Sequence, residues 1–270
     1  MKLALMGTND FVVPIFENLA RHHDIIAVFT RAPKPMGRKH LLTPSPVHAW
    51  AQSRGLGVHT SIKDFDLLFE KPDFIIVISY GVILRDNVLN TAPCLNIHPS
   101  ALPKYRGPSP IKTAILNGDT ETGVCLMKIT PELDAGDVLI RKNILIGEND
   151  TNKDIEAKVS NVATEILNEY LANPTKYVPV SQGDGATYTR KFTGDDEIID
   201  WKNTPQQIHN QIRALGCGRA KINGADVKIL ETRIENGDLK ILKIQPAGKT
   251  PMDWNSFVNG LRGAEIKYGE

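Results

Sequence analysis

An amide and an imidazole lie two residues apart in an otherwise apolar stretch of the chain, at Asn96 and His98 in Cys94-Leu95-Asn96-Ile97-His98. Alternate residues of a strand point to the same face, so the two side chains are expected to be neighbours, about 6 to 7 Å apart along the backbone. An amide can donate hydrogen bonds to a developing oxyanion, and an imidazole moves protons near neutral pH. Such a pair also occurs as a satisfied structural contact, and the spacing leaves both interpretations open.

A carboxylate that could serve this pair lies in the turn Leu133-Asp134-Ala135-Gly136-Asp137. An Asp-containing turn with Gly, placed between two predicted strands, can present a carboxylate at the open edge of a sheet. A carboxylate near His98 would orient the ring and raise its basicity. An ordinary turn with a capping Asp is the alternative.

The elements that must position these residues follow the rhythm of a parallel sheet crossed by helices. The apolar pattern predicts strands at 2–6, 25–30, 74–79, 94–97, 122–129 and 138–146, and helices near 11–22, 44–54, 85–90, 109–117 and 152–171. Beyond a Pro-, Gly-, Ser- and Thr-rich stretch at 173–189, a helix at 204–215, strands at 226–232 and 239–244 and a helix near 252–260 indicate a small β-rich domain. We therefore predict a doubly wound, mostly parallel α/β domain over 1–180, a linker over 181–189 and a small domain over 190–270.

Composition excludes several function classes. The net charge of +1 gives no global reason for a polyanionic partner or a membrane. Three widely spaced cysteines fit a reducing compartment and predict neither a disulfide framework nor a zinc cluster, and the seven histidines form no metal pattern. The turn after the first strand has a single glycine, Gly7, which is weak support for a dinucleotide. Without a long apolar segment, the chain is expected to be cytoplasmic. We also expect that it needs no metal and that it is a monomer.

The two motifs together resemble the signature of the 10-formyltetrahydrofolate-dependent formyltransferases. The resemblance rests on the continuous run 96–107, Asn-Ile-His-Pro-Ser-Ala-Leu-Pro-Lys-Tyr-Arg-Gly, followed by 133–137, Leu-Asp-Ala-Gly-Asp. It implies that Asn96, His98 and Asp134 are the catalytic residues and that Asp137 is not. It also implies a folate pterin pocket lined by Tyr80, Gly81, Val82, Ile83 and Leu84 and by the backbone of Thr130, Pro131, Glu132 and Leu133.

Further segments are similar to the branch of this family whose acceptor is the α-amine of initiator methionyl-tRNA. They run nearly from end to end, at 6–11, 42–46, 79–81, 118–123 and, near the C-terminus, Gln245-Pro246-Ala247-Gly248-Lys249. The resemblance implies formyl transfer from 10-formyltetrahydrofolate to that amine. Two alternatives remain: an amino sugar or another small amine as acceptor, or a tRNA-binding module without catalysis.

The loop from Arg31 to Lys39 supports an RNA partner because it carries four basic residues and no acid, namely Arg31, Lys34, Arg38 and Lys39. In the family, an arginine at the position of Arg38 helps to recognise the initiator tRNA. A solvated loop held by its prolines is the alternative.

The small domain is expected to be a shortened, OB-like barrel. The family's second domain is usually a basic barrel that helps to hold the tRNA, whereas acidic and basic residues are nearly balanced over 181–270. The segment from Thr232 to Leu239 joins two predicted strands directly, where the family typically has an additional strand-containing segment.

Overall fold

The computed structural model describes residues 1–37 and 40–269. Thirteen strands and seven helices lie within them. The strands are β1 (Lys2–Gly7), β2 (Asp24–Phe29), β3 (Lys34–Met36), β4 (Leu41–Thr43), β5 (Val58–His59), β6 (Phe74–Ile78), β7 (Cys94–His98), β8 (Glu121–Lys128), β9 (Val138–Leu145), β10 (Gly218–Ile222), β11 (Ala225–Glu235), β12 (Asp238–Pro246) and β13 (Met252–Asp253). The helices are α1 (Val13–His22), α2 (Pro46–Ser53), α3 (Asp86–Leu89), α4 (Pro110–Asn117), α5 (Asn152–Ala172), α6 (Pro205–Leu215) and α7 (Trp254–Gly260).

The main sheet has seven strands in the order β5-β2-β1-β6-β7-β8-β9. The five strands from β5 to β7 pair in parallel, and β8 runs antiparallel to β7. The central strands are apolar runs buried on both faces, as in β6, Phe-Ile-Ile-Val-Ile. This confirms the predicted mostly parallel α/β fold.

The chain reverses its direction of winding between β1 and β6. From β1 it adds β2 and β5 on one side, and β6 and β7 then follow on the other. In open α/β sheets such a switch point creates a crevice at the carboxyl ends of the strands. Here the loops that follow β1 and β6 are linked by a hydrogen bond of 2.7 Å from Asn9 Nδ2 to Ser79 Oγ. The carboxyl end of β7, where His98 lies, adjoins this edge.

Contacts between Cα atoms divide the chain into two compact units. The first comprises Met1–Pro108, Gly123–Ile144 and Glu156–Tyr188, and the second comprises Ser109–Thr122, Leu145–Ile155 and Thr189–Glu270. The predicted domain limits at 180 and 190 stay a prediction. None of the described helices is long and apolar enough to cross a membrane.

The second unit contains a four-stranded antiparallel sheet in the order β10-β11-β12-β13. Its apolar core combines this sheet with α6 and α7, through residues such as Ile212, Ile229 and Phe257. Helix α6 begins with a capping box in which Thr204 and Gln207 bond to each other's backbone N–H groups. This confirms the predicted small β-rich region. Strand β11 leads into β12 through the turn at Asn236 and Gly237, so the predicted direct connection is a hairpin.

Five of the thirteen described strands were not predicted, namely β3, β4, β5, β10 and β13. The Arg31–Lys39 loop contains β3, which pairs with β4 as an antiparallel hairpin. Strand β10 lies between two glycine-containing turns and was not predicted. Its Arg219 and Lys221 interrupt the apolar pattern, so its sequence resembles that of a polar loop. The alternating burial of β10 reflects a strand covered on one face only.

Candidate active site

Strand β7 carries the predicted amide and imidazole. It pairs with β6 on one side and β8 on the other, with Asn96 opposite Val77 and Met127 and with His98 opposite Cys125. Because both neighbours are apolar strands, the position of β7 is fixed by sheet packing. Strand alternation then places Asn96 and His98 on one face, as the sequence predicted.

The ring of His98 is held by the chain that follows β7. His98 is only 3% exposed, and its Nε2 lies 2.9 Å from the carbonyl oxygen of Tyr105. A carbonyl oxygen can only accept, so Nε2 carries the hydrogen of the neutral ring, and Nδ1 keeps its lone pair. The connecting loop is stabilised by a 2.6 Å hydrogen bond from Ser100 Oγ to the carbonyl of Lys104. The fold thus leaves Nδ1 as the ring nitrogen that can exchange a proton.

The predicted carboxylate faces that nitrogen. Asp134 Oδ2 lies 3.7 Å from His98 Nδ1 and accepts a hydrogen bond of 2.7 Å from the backbone N–H of Gly107. The separation from His98 exceeds hydrogen-bond length, and both atoms are acceptors while the ring is neutral. A proton arriving at Nδ1 would therefore be stabilised by a carboxylate that is already in place.

A glycine in the turn permits this placement of Asp134. A Cβ atom at Gly136 would overlap the backbone carbonyl of Lys128, so the two backbones approach as closely as they do only because this residue has no side chain. Asp134 itself has φ of 48°, in the left-handed region that Asp tolerates better than most residues. The Asp-x-Gly spacing is therefore a packing requirement of the turn.

Opposing effects set the protonation of His98. Burial lowers the pKa of His98 below its usual value, and the Asp134 carboxylate and the Tyr105 carbonyl oppose that shift by favouring the charged ring. The Arg106 guanidinium adds to the lowering. The net direction is downward, so the ring of the unliganded site is neutral near pH 7.

The Asn96 amide is available to a ligand. Asn96 is half-buried, and its side chain makes no hydrogen bond with any residue in the described ranges 1–37 and 40–269. Its neighbour His98 has one ring nitrogen engaged and the other turned to Asp134. The arrangement can offer two N–H groups of one amide to an oxygen that gains negative charge.

The residues predicted to line a folate pocket form two groups, 80–84 and 130–133. The first group is itself divided between the protein core and a surface cleft. Tyr80 and Leu84 are buried in an apolar core cluster, whereas Gly81, Val82 and Ile83 line a cleft of about 710 Å³. Ile62, Lys63 and Asn87 are also part of that cleft. The second predicted group, Thr130, Pro131, Glu132 and Leu133, is exposed immediately before Asp134. These lining roles stay a prediction.

Only part of the predicted basic loop is described. Lys34 is exposed on β3, and Arg31 is partly buried, with its Nε making no hydrogen bond to any part of the chain that the structure describes. Arg38 and Lys39 lie outside the described residues. The paired strands β3 and β4 expose Met36, Leu41 and Leu42 as well as Lys34. The RNA contacts stay a prediction.

Two residues around the site were not predicted. Arg106 is 7% exposed, and its Nε donates to Gln182 Oε1 at 3.0 Å. Gln182 Nε2 donates to the carbonyl oxygens of Asp134 and Gly136, at 2.8 and 2.7 Å. Arg106 lies within the 96–107 run, but the sequence alone indicated no function for it. Gln182 lies in the predicted linker, where the amino-acid composition gives no indication of a contact with the site. Within the described residues, no group of three or more His, Cys, Asp or Glu side chains could hold a metal ion.

Comparison with known proteins identifies the family to which the chain belongs. The family profile described as formyl transferase matches residues 1–171, and the profile of the formyl transferase C-terminal domain matches residues 191–238. A methionyl-tRNA formyltransferase from Rickettsia massiliae is 33% identical, covering 96% of this chain and 97% of that protein.

Solved structures share this fold. A methionyl-tRNA formyltransferase from Clostridium thermocellum has a TM-score of 0.67 at 16% identity, covering 91% of this chain and 98% of its own. An N-formyltransferase from Helicobacter canadensis, solved with folinic acid and dTDP-3-aminofucose, has a TM-score of 0.67 at 24% identity, covering 87% and 88%. The fold is thus shared by an enzyme named for a tRNA and by one solved with an amino-sugar nucleotide. The extent of the sequence matches decides the family: this chain is a member of the formyl transferase family.

Proposed function

We propose that this enzyme transfers the formyl group of 10-formyltetrahydrofolate to the α-amine of initiator methionyl-tRNA. The observation that carries the chemistry is the buried His98, held at one nitrogen by the Tyr105 carbonyl and faced at the other by the Asp134 carboxylate, on the same strand as Asn96. The acceptor is supported by the nearly full-length similarity to a methionyl-tRNA formyltransferase and by the basic residues of the 31–39 loop.

The reaction requires one carbon–nitrogen bond to form, one to break and one proton to move. The acceptor amine attacks the formyl carbon, the bond from that carbon to N10 of the folate breaks, and the amine's proton ends on N10. His98 Nδ1 is suited to carry this proton, since its lone pair is available while the ring is neutral. The imidazolium that forms is stabilised by Asp134 at 3.7 Å.

The tetrahedral intermediate carries a negative oxygen that the site must stabilise. We assign Asn96 as a hydrogen-bond donor to this oxyanion, joined by His98 once the ring is protonated. Asp134 orients His98 and helps to relay the proton, through water where the separation is too long for direct contact. No step requires a metal ion.

The binding contacts follow from the same proposal. The folate pterin is assigned to Tyr80, Gly81, Val82, Ile83 and Leu84 and to the backbone of 130–133, and the tRNA to Arg31, Lys34, Arg38 and Lys39. We assign catalysis to a domain over 1–180, joined by 181–189 to a smaller domain over 190–270. The family profiles, which match 1–171 and 191–238, support this division.

Formyl transfer measured with several acceptors tests the proposal. Labelled 10-formyltetrahydrofolate is incubated with the full chain and with charged initiator methionyl-tRNA, charged elongator methionyl-tRNA or an amino-sugar nucleotide. Label is expected on the initiator alone. Label on the sugar alone would keep the chemistry and refute the acceptor, and tRNA binding without any folate turnover would refute catalysis.

A further inference from the structure

The side-chain amide of Gln182 connects two loops that are distant in sequence. Its Nε2 uses both hydrogens, one for the carbonyl oxygen of Asp134 and one for that of Gly136. Its Oε1 accepts from Arg106 Nε at 3.0 Å. Both polar atoms of this half-buried amide are thereby engaged, and one side chain fastens the Asp134 turn to Arg106.

Each of those two loops faces one ring nitrogen of His98. One contains Asp134, whose carboxylate faces Nδ1, and the other contains Tyr105, whose carbonyl accepts from Nε2. Gly107, on the same stretch as Tyr105, also donates its N–H to the Asp134 carboxylate. Gln182 therefore closes a ring of contacts around His98 without contacting His98 itself.

The backbone conformation of both loops needs such support. Asp134 has φ of 48° and Tyr105 has φ of 61°, so each loop holds a residue with a side chain in the left-handed region. Residues in that region persist where their surroundings determine their conformation. The segment that contains Gln182 supplies further acceptors to the second loop. Thr187 Oγ1 accepts from the Tyr105 N–H, and the Thr187 carbonyl oxygen accepts from the Arg106 N–H.

The chemistry of the contacts requires a carboxamide at position 182. Two carbonyl oxygens need donors and a guanidinium N–H needs an acceptor, and a carboxamide presents both on one planar group. A glutamate would keep the acceptor for Arg106 but would place a carboxylate against two carbonyl oxygens. A methionine has a similar length and neither donors nor charge.

We propose that Gln182 is a positioning residue that holds the Asp134 turn and the Tyr105–Arg106 segment in the arrangement that His98 needs for proton transfer. The proposal rests on the assignment of His98 and Asp134 under the proposed function. Gln182 contacts neither reacting group, so its effect is on the geometry and charge around His98.

The test compares Gln182→Met and Gln182→Glu with matched changes at Gln52. This residue of α2 is exposed, and its side chain makes no hydrogen bond to any other residue that the structure describes. For both Gln182 variants we expect kcat to fall about 10- to 100-fold, because small misplacements of catalytic groups have effects of this size, while KM for the folate and for the acceptor stays close to wild type. Gln52→Met and Gln52→Glu are expected to keep the wild-type kcat.

A second measurement follows the ring of His98 directly. In ¹⁵N-labelled full-length protein, the histidine ring resonances report the titration of His98 in wild type and in Gln182→Met. We expect His98 to titrate at lower pH in the variant, because the carboxylate that favours the charged ring is no longer held beside Nδ1. This measurement needs neither folate nor an acceptor, so it tests the proposal whatever the substrate is.

Each outcome bears on a separate claim. Wild-type kcat in either Gln182 variant, or an unchanged His98 titration in Gln182→Met, would overturn the positioning role. A kcat that falls only in proportion to the loss of folded protein, measured by thermal unfolding, would overturn it as well. Wild-type protein that transfers no formyl group would instead refute the proposed function, and the titration would still decide the role of Gln182.

Discussion

Two buried histidines, one in each unit, differ in how their ring nitrogens are hydrogen-bonded. His98 on β7 and His209 on α6 are both 3% exposed, and burial lowers the pKa of each. His209 Nε2 lies 3.1 Å from the carbonyl oxygen of Glu148, and its Nδ1 lies 2.9 Å from the Thr232 hydroxyl. His98 has only one such bond, and its other nitrogen faces a carboxylate at 3.7 Å.

The difference distinguishes a histidine suited to a structural role from one suited to proton transfer. The Glu148 carbonyl requires a donor, so His209 Nε2 carries the hydrogen and Nδ1 accepts from Thr232. Neither nitrogen is then available for a proton from a substrate. Burial alone is common to both residues, so what distinguishes His98 is an available lone pair beside a fixed negative charge.

The largest expected effect is that of His98→Ala on turnover. Removal of the proton carrier is expected to lower kcat by about 10²- to 10⁴-fold, the usual contribution of a positioned acid–base group. Formyl transfer under saturating substrates measures it, and thermal unfolding shows whether the protein is still folded. A kcat within a fewfold of wild type would remove His98 from the mechanism and with it the contrast to His209.

Asp134→Asn is expected to have a smaller effect with a distinctive pH dependence. The variant keeps the size of the side chain but loses the charge that favours protonated His98, and we expect kcat to fall about 10- to 100-fold. Because the proposed mechanism requires a neutral ring to accept the proton, kcat/KM of the wild type is expected to rise with pH through the pKa of His98, which lies below its ordinary value.

The acid limb of that profile provides the check on Asp134. Without the carboxylate the pKa of His98 falls further, so the limb of Asp134→Asn should lie at lower pH than that of the wild type. A limb that stays in place would show that the Asp134 charge does not act on His98.

His209→Leu is expected to have the smallest effect on catalysis. We expect it to lower the stability of the fold instead. The change leaves the Glu148 carbonyl and the Thr232 hydroxyl without their partner, which should lower the free energy of unfolding by about 1 to 3 kcal/mol. The kcat of the folded variant should equal that of wild type. Urea unfolding measures the change, with the exposed His22→Gln as a control expected to stay within about 0.5 kcal/mol.

The pH dependence of unfolding sharpens this prediction. The pKa of His209 is lowered in the folded protein, so below about pH 6.5 the unfolded chain binds a proton that the folded chain excludes. The contribution of His209 to stability is therefore complete above that pH and is lost as the pH falls towards the folded pKa, by up to about 1.4 kcal/mol per pH unit. His209→Leu should unfold with a shallower dependence between pH 6.5 and 5.5. An unchanged slope would show that His209 does not titrate on unfolding.

The sequence by itself determined most of the main elements and two parts of the site, the Asn96–His98 pair and the Asp134 turn. Apolar runs marked β1, β6 and β7 because buried parallel strands have that composition, and the period of two in a strand placed Asn96 beside His98. The Asp-x-Gly turn was visible because only glycine permits the close approach found at Gly136. These features are local, so a short stretch of residues carries their signal.

The tertiary structure alone decided how the site is held. Gln182 is 48 residues from Asp134, and Thr187 is 82 residues from Tyr105, so no local pattern records that these residues meet. The tautomer of His98 depends on a carbonyl oxygen, and every residue except the last carries one, whatever its side chain. Side-chain periodicity fixes which residues share a face, whereas hydrogen bonds between backbone loops depend on how the chain folds back, and that is set by the packing of the whole unit.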